Sequence, residues 1–233
     1  MAFHHSPKIV SDGLVSTLDP ANIKFYPRSG TTTTDLIDSN ITGTMNGCTF
    51  QTSNVGIFDF DGTNDYLEIS ANAKTDFGTG DFSIGCWYKC EDVEGSNGGR
   101  YDRLWFLGQN ISSTSLSCNV RGSGTTGYFE IRITDIVKLT TSTNIVEDTW
   151  QYLVIQRVSG QLQSYFNGVY DTQASNTQNL SGIESYAMRV GAEGGTIVGS
   201  YWNGQVSQIH IYNRSLSTTE VLQNYNALKG RFE

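Results

Sequence analysis

The sequence predicts an all-β domain, a sandwich or barrel of short antiparallel strands followed by one C-terminal helix. Three observations carry that expectation. Short strand-like runs recur along the 233 residues, divided by Gly, Asn and Ser clusters. Thr, Ser, Gly, Asn and aromatic residues are plentiful, while the helix formers Lys, Glu and Ala are sparse. Helix-start chemistry stands out near the C-terminus, at Ser217-Thr218-Thr219-Glu220.

In chain order, residues 1–12 read as an extended arm and residues 13–233 as a single domain, since no shift of composition divides them. That length can bury a sizeable core without staples. Strands are expected near 56–60, 65–70, 103–108, 127–133, 186–191 and 204–212. The clearest is FSIGCWYKC (82–90). Phe82, Ile84, Cys86 and Tyr88 share one face, and Ser83, Gly85, Trp87 and Lys89 the other. From Trp150 to Ala174, WQYLVIQRV, QLQSYF and VYDTQA are separated by Ser159-Gly160 and Asn167-Gly168. Asn-Gly tolerates the positive φ of a tight hairpin, so this stretch is a three-strand meander. At the C-terminus, Ser217 and Glu220 form a capping box, and Val221, Leu222, Tyr225 and Leu228 follow at helical spacing. Gly230 is expected to end the helix as a left-handed residue.

A net charge of −8 with no basic run argues against nucleic acid and against an anionic membrane surface. No segment is apolar for long enough to span a bilayer. The opening MAFHHSPKIV lacks the apolar core of a signal peptide, so the chain is expected to be made in a cytoplasm and to leave by lysis if it leaves. Cys86 and Cys90 are four residues apart in one strand, roughly 13 Å, too far to pair. With Cys48 and Cys118 they are expected as reduced, buried thiols.

Four blocks then carry a family resemblance. FDGTNDYLEIS (60–70) resembles the first core strand pair of laminin-G-type domains of the concanavalin A-like lectin/glucanase superfamily. FSIGCWYK (82–89) resembles the next strand, TWQYLVIQRVSGQLQSYFNGV (149–169) the central hairpin, and WNGQVSQIHIYNRSLSTTEV (202–221) the closing strand and short helix. The resemblance implies a two-sheet antiparallel jelly roll. The opening MAFHHSPKIVSDGLVSTLDPANIKFYPRSGTTTTDL (1–36) resembles that of virion structural proteins of tailed bacteriophages, especially those infecting cyanobacteria. It implies a non-enzymatic capsid decoration, fibre or tail-associated protein, assembled in the host cytoplasm and displayed on the virion surface. Its partners would be other virion proteins, glycans or further copies of itself. Phe3, His4, His5, Pro7 and Ile9 would form the docking arm.

Three chemistries can be weighed on the residues. Glycoside hydrolysis needs two carboxylates flanking one bond. Glu130 and Asp135 are five apart, which puts them on opposite faces of a strand, and Glu91-Asp92-Val93-Glu94 reads as a solvated loop. No cofactor is implied. Calcium is the one ion with candidate ligands, Asp59, Asp61 and Asp65 around a Gly-containing turn, although these residues read first as turn formers. Glycan binding uses flat aromatic faces and amide groups. Tyr101, Trp105, Tyr201 and Trp202 are the aromatic candidates, and Asn97 and Asn203 the amide candidates.

Overall fold

The computed structural model describes residues 7–94, 102–124, 126–195 and 200–233. The strands run β1 (Leu14–Leu18), β2 (Thr32–Thr34), β3 (Thr42–Asn46), β4 (Thr49–Gln51), β5 (Ile57–Asp61) and β6 (Tyr66–Ile69). Then come β7 (Phe82–Cys90), β8 (Arg103–Gly108), β9 (Ser115–Ser123), β10 (Thr126–Ile133) and β11 (Ile136–Thr140). β12 (Trp150–Val158), β13 (Gln161–Phe166), β14 (Val169–Ser175), β15 (Met188–Val190), β16 (Asn203–Tyr212) and helix α1 (Thr218–Leu228) complete the chain.

They form two antiparallel sheets of eight strands. One has the order β14-β13-β12-β7-β16-β5-β4, with β1 beside the second half of β16; the other has β11-β10-β9-β8-β15-β6-β3-β2. This is the jelly-roll sandwich the resemblance implies. The expected strands are present within a residue or two, and the meander turns at Asn167-Gly168, with φ of 50° and 83°.

The alternation in β7 explains the layering. Phe82, Ile84, Cys86, Tyr88 and Cys90 enter the core between the sheets, with Leu153 and Ile155 of β12 and Ile209 and Ile211 of β16. The opposite face of the first sheet is also covered. Trp87, Tyr152, Val154, Tyr165 and Tyr212 form a second apolar cluster with Val221 of α1 and Val10. Trp87 stacks on Phe232 at 4.3 Å and on Tyr225 at 5.5 Å between ring centroids.

Val10 corrects the expected arm boundary. Its N–H donates to Asn224 Oδ1 (2.8 Å), its carbonyl accepts from the Tyr212 hydroxyl (3.0 Å), and Gln223 Nε2 donates to the Lys8 carbonyl (2.7 Å). Residues 8–12 therefore pack on their own domain. Pro7 is exposed and Ile9 half-buried, while Phe3, His4 and His5 lie outside the described residues. The capping box is formed at Ser217 and Glu220, but Gly230 is not left-handed. The helix tightens instead into a 3-10 turn at Lys229–Arg231, which brings Phe232 onto Trp87. All four cysteines are free and buried.

Arg157 of β12 is fully buried and donates to carbonyls alone: Nε to Gly80 (2.7 Å), Nη1 to Gln178 (2.8 Å), and Nη2 to Gly78 (2.8 Å) and Phe77 (3.2 Å). It joins the loop before β7 to the loop after β14. Arg157→Ala strands those buried acceptors and should cost about 3 kcal/mol or more, read as a lowered denaturation midpoint. Arg157→Lys should recover only part of it, because an ammonium cannot span the same fork.

Arg214 and Ser217 hydrogen-bond Glu220, and these contacts hold its carboxyl down to about 2. A folded-state value below the unfolded one stabilises above pH 4.5, and that contribution is lost as pH falls from there toward about 2. Acid titration should therefore loosen α1 and change Trp87 fluorescence across that window, and Glu220→Gln should remove this part of the transition. Ser217→Ala should cost about 1 kcal/mol by thermal denaturation.

Candidate functional site

Of the expected glycan-facing aromatics, Trp105 and Trp202 must be withdrawn. Both are fully buried, and Trp202 packs edge-on against Tyr88 at 5.9 Å. The pairing of β8 with β15 sets Trp105 in the core, and Trp202, just before β16 with its N–H on the Gly191 carbonyl, lies in the same core, so neither presents a face to a ligand. Tyr201 is half-buried, and Asn203 is the first residue of β16, half-buried and opposite Asp61 of β5. Asn97 and Tyr101 lie outside the described residues.

The acidic turn is bound up in its own backbone. Asp61 Oδ1 accepts from the Thr63 N–H (2.8 Å), and Asp65 Oδ2 accepts from the Asp61 N–H (3.1 Å). Asp59 lies across the β4–β5 pair, 3.5 Å from Gln51 Nε2. Burial, with Asp61 and Asp59 nearby, raises the Asp65 carboxyl above its ordinary range. Among the described residues no three His, Cys, Asp or Glu side chains converge as a metal group. His210 is buried on the covered face of the first sheet, and burial lowers its imidazole to about 4.

Glu130 and Asp135 depart from the expectation of opposite faces. Thr134 and Asp135 form the two-residue turn between β10 and β11, with φ of 49° and 56°, so Asp135 curls back beside β10. Arg132 then binds both, donating from Nη2 to Glu130 Oε2 (2.8 Å) and from Nη1 to Asp135 Oδ1 (3.2 Å). Next to them Arg103 is clamped by Glu193, Nη2 to Oε2 at 2.6 Å, both nearly fully buried. That pair holds the segment after β15 over β8. These carboxylates are engaged in ion pairs.

Two open clefts share Tyr186, one on the outer face of the second sheet and one among its loops. A cleft of about 210 Å³ is lined by Glu68, Gly108, Gln109, Tyr186, Ala187, Arg189, Gly194 and Gly195. A second, of about 290 Å³, is lined by Ser113, Thr114, Ser181, Gly182, Ser185 and Tyr186. Tyr186 is their common wall and is 41% exposed. It closes the 3-10 turn Ile183–Ser185 and leads into β15.

The walls are fixed locally. Arg189 of β15 donates from Nε to Glu68 Oε2 of β6 (2.9 Å) and from Nη1 to the carbonyls of Glu193 (2.7 Å) and Gly195 (3.0 Å). Its guanidinium lies over the Tyr66 ring at 4.7 Å. Asn110 Oδ1 accepts from the Ser112 and Ser113 N–H groups and shapes the β8–β9 loop. The result is an exposed aromatic face bordered by a carboxylate, an amide and several hydroxyls. Nothing in the local sequence marks Tyr186, which reads as a residue of the 186–191 strand.

The family model described as Laminin_G_3, of the concanavalin A-like lectin/glucanases superfamily, matches residues 61–222. Similar solved structures include domain 4 of AbnA, an extracellular GH43 arabinanase from Geobacillus stearothermophilus, in complex with arabinotriose. It is 12% identical with a TM-score of 0.63, covering 91% of this chain and 98% of that one. The binding domain of Paraclostridial Mosquitocidal Protein 1 is 16% identical with a TM-score of 0.66, covering 93% of this chain and 52% of that one. A mutant of Trypanosoma rangeli sialidase with trans-sialidase activity is 11% identical with a TM-score of 0.66, covering 95% and 34%. This chain thus spans about half of the second and a third of the third. No curated protein matches it by sequence.

Trp202→Ala should act on stability, lowering it by about 3–5 kcal/mol in denaturant unfolding, as for other buried large-to-small changes. Unfolding at the wild-type midpoint would contradict its place in the core.

Proposed function

The chain belongs to the Laminin_G_3 family of the concanavalin A-like lectin/glucanases superfamily, and we propose from that premise that it is a non-enzymatic carbohydrate-binding module whose ligand rests against Tyr186. The exposed Tyr186 ring between two polar clefts carries this reading. A sugar ring offers a C–H face to an aromatic plane while its hydroxyls take amide, carboxylate and hydroxyl partners. Glu68, Gln109 and Ser185 line these clefts and carry groups of that kind. The arabinotriose bound by domain 4 of AbnA supports the reading at the level of fold.

The non-enzymatic part rests on the carboxylates. Glu68 is the one carboxylate residue lining either cleft among the described residues, and a glycosidase needs a pair. Glu130, Asp135 and Glu193 are bound to arginines. Neither cation nor cofactor enters the proposal.

The opening segment favours a setting for this module, the surface of a tailed-phage particle, since residues 1–36 resemble virion proteins of that kind. In that setting the opening arm, residues 1–12, would serve as the docking segment, and Lys8 and Val10 tie it to the domain.

On a glycan array the protein should give specific hits that Tyr186→Ala removes, with the circular dichroism spectrum unchanged. Hits that survive that substitution, or no hits at all, would overturn the site. Incubation with the bound polysaccharide should release no reducing ends; release abolished by Glu68→Gln would make the protein an enzyme. Deleting residues 1–6 should leave a folded domain that is not incorporated into particles, and normal incorporation would refute the arm's role.

A further inference from the structure

We propose that the groove takes a linear, uncharged oligosaccharide of at least two sugar units, with Tyr186 standing between two subsites; this rests on the carbohydrate-binding reading above. The division of the groove points to it. Among the described residues Tyr186 is the one shared by the two clefts. At about 210 and 290 Å³, neither cleft alone exceeds the lower bound of ordinary ligand sites, roughly 300 Å³, whereas together they lie well within that range. A ligand filling the groove must therefore pass Tyr186, and a chain of sugar units does so without leaving either side empty.

The two sides differ in chemistry. The first offers the Glu68 carboxylate, the Gln109 amide and the backbone of Gly194 and Gly195. The second offers hydroxyls, from Ser113, Thr114, Ser181 and Ser185, and no charged side chain among the described residues. Hydroxyl groups on a sugar can meet both sets. A carboxylate or sulfate on the ligand finds poor partners. Arg189, the cation lining the first cleft among the described residues, already has Nε on Glu68 and Nη1 on the carbonyls of Glu193 and Gly195. Glu68 faces the same cleft, and the net charge of −8 adds repulsion at longer range.

The backbone contacts that set both walls are short-range. Asn110 fixes the Ser112–Ser113 corner, and Glu184 Oε2 accepts from the Gly182 N–H at 2.7 Å. The walls of the two subsites are thus held in place by the chain's own hydrogen bonds before a ligand arrives.

Isothermal titration with glucose through cellotetraose, arabinose through arabinotetraose, and trigalacturonate tests the proposal. In whichever neutral series binds, affinity should rise at least tenfold from the monosaccharide to the trisaccharide. Ser181→Trp, which fills the second cleft from an exposed position, should cancel that gain, and Ser185→Phe should cancel it as well. Trigalacturonate should bind at least tenfold more weakly than the neutral trisaccharide. Equal affinity for one and three units, a gain that survives both cleft-filling variants, or tight binding of trigalacturonate overturns the two-subsite inference while the carbohydrate reading stands. If no neutral sugar of any length binds the wild-type protein, that reading falls and this inference falls with it.

Discussion

Burial of the first sheet on both faces is the constraint on which the rest of the structure depends. A strand in such a sheet has no solvent side, so each residue along it must be apolar or must find a partner. β7 shows the consequence. Phe82, Ile84, Cys86 and Tyr88 serve the core, Trp87 serves the outer cluster, and Gly85 leaves room where the Tyr152 hydroxyl crosses. Polar residues on the outer face are used as joints. Ser83 and Gln156 hydrogen-bond each other, and both accept from the Leu216 N–H, which fixes the chain just before α1. Asn224, fully buried in α1, binds Val10 and Tyr212 at once. The N-terminal segment, the closing strand and the helix form one cover because these amides leave no other arrangement satisfied.

That cover decides where function can lie. With the outer face of the central strands β12, β7 and β16 covered by α1 and residues 8–12, the clefts around Tyr186 lie instead at the second sheet and its loops. The second sheet's outer face is stabilised differently, by ion pairs in place of an apolar lid. Glu130, Arg132 and Asp135 join β10 to its turn, Arg103 and Glu193 fold the segment after β15 over β8, and Glu68 and Arg189 link β6 to β15. The Arg103–Glu193 pair is nearly fully buried, so removing one partner leaves a charge uncompensated and is strongly destabilising. Half-exposed pairs such as Glu68–Arg189 add little stability but fix direction, and here direction is what holds a groove wall in place.

Much of this fold was legible in the sequence because its signals are local. The alternation of 82–90, the Asn167-Gly168 turn and the Ser217–Glu220 cap each act within a few residues, and each is found where expected. The sequence does not single out β1, β2, β3, β4, β9 or β11, and β2 and β4, at three residues each, show too little alternation to mark a strand. Gly230 misled because a glycine near a helix end has more than one use. The chain here needed a tighter turn to carry Phe232 back to Trp87, a contact between residues far apart in sequence.

The site was harder to read for a related reason. Trp202, set among turn residues, and loop-adjacent Trp105 look exposed, yet both are buried: pairing with β15 fixes Trp105, and a backbone bond to Gly191 fixes Trp202. Tyr186 sits among ordinary strand signals and is exposed only because the 3-10 turn before it delivers the chain at the sheet surface. Glu130 and Asp135 needed the left-handed Thr134-Asp135 turn to come together. Recognition surfaces are made from residues the core does not claim, and sequence pattern reports chiefly what the core claims. An aromatic ring left outside, on walls held by Asn110, Arg189 and Glu184, has its place set by contacts to backbone atoms. Backbone partners depend on conformation more than on residue type, so the geometry that gives Tyr186 its setting leaves only a faint trace in the order of residues around it.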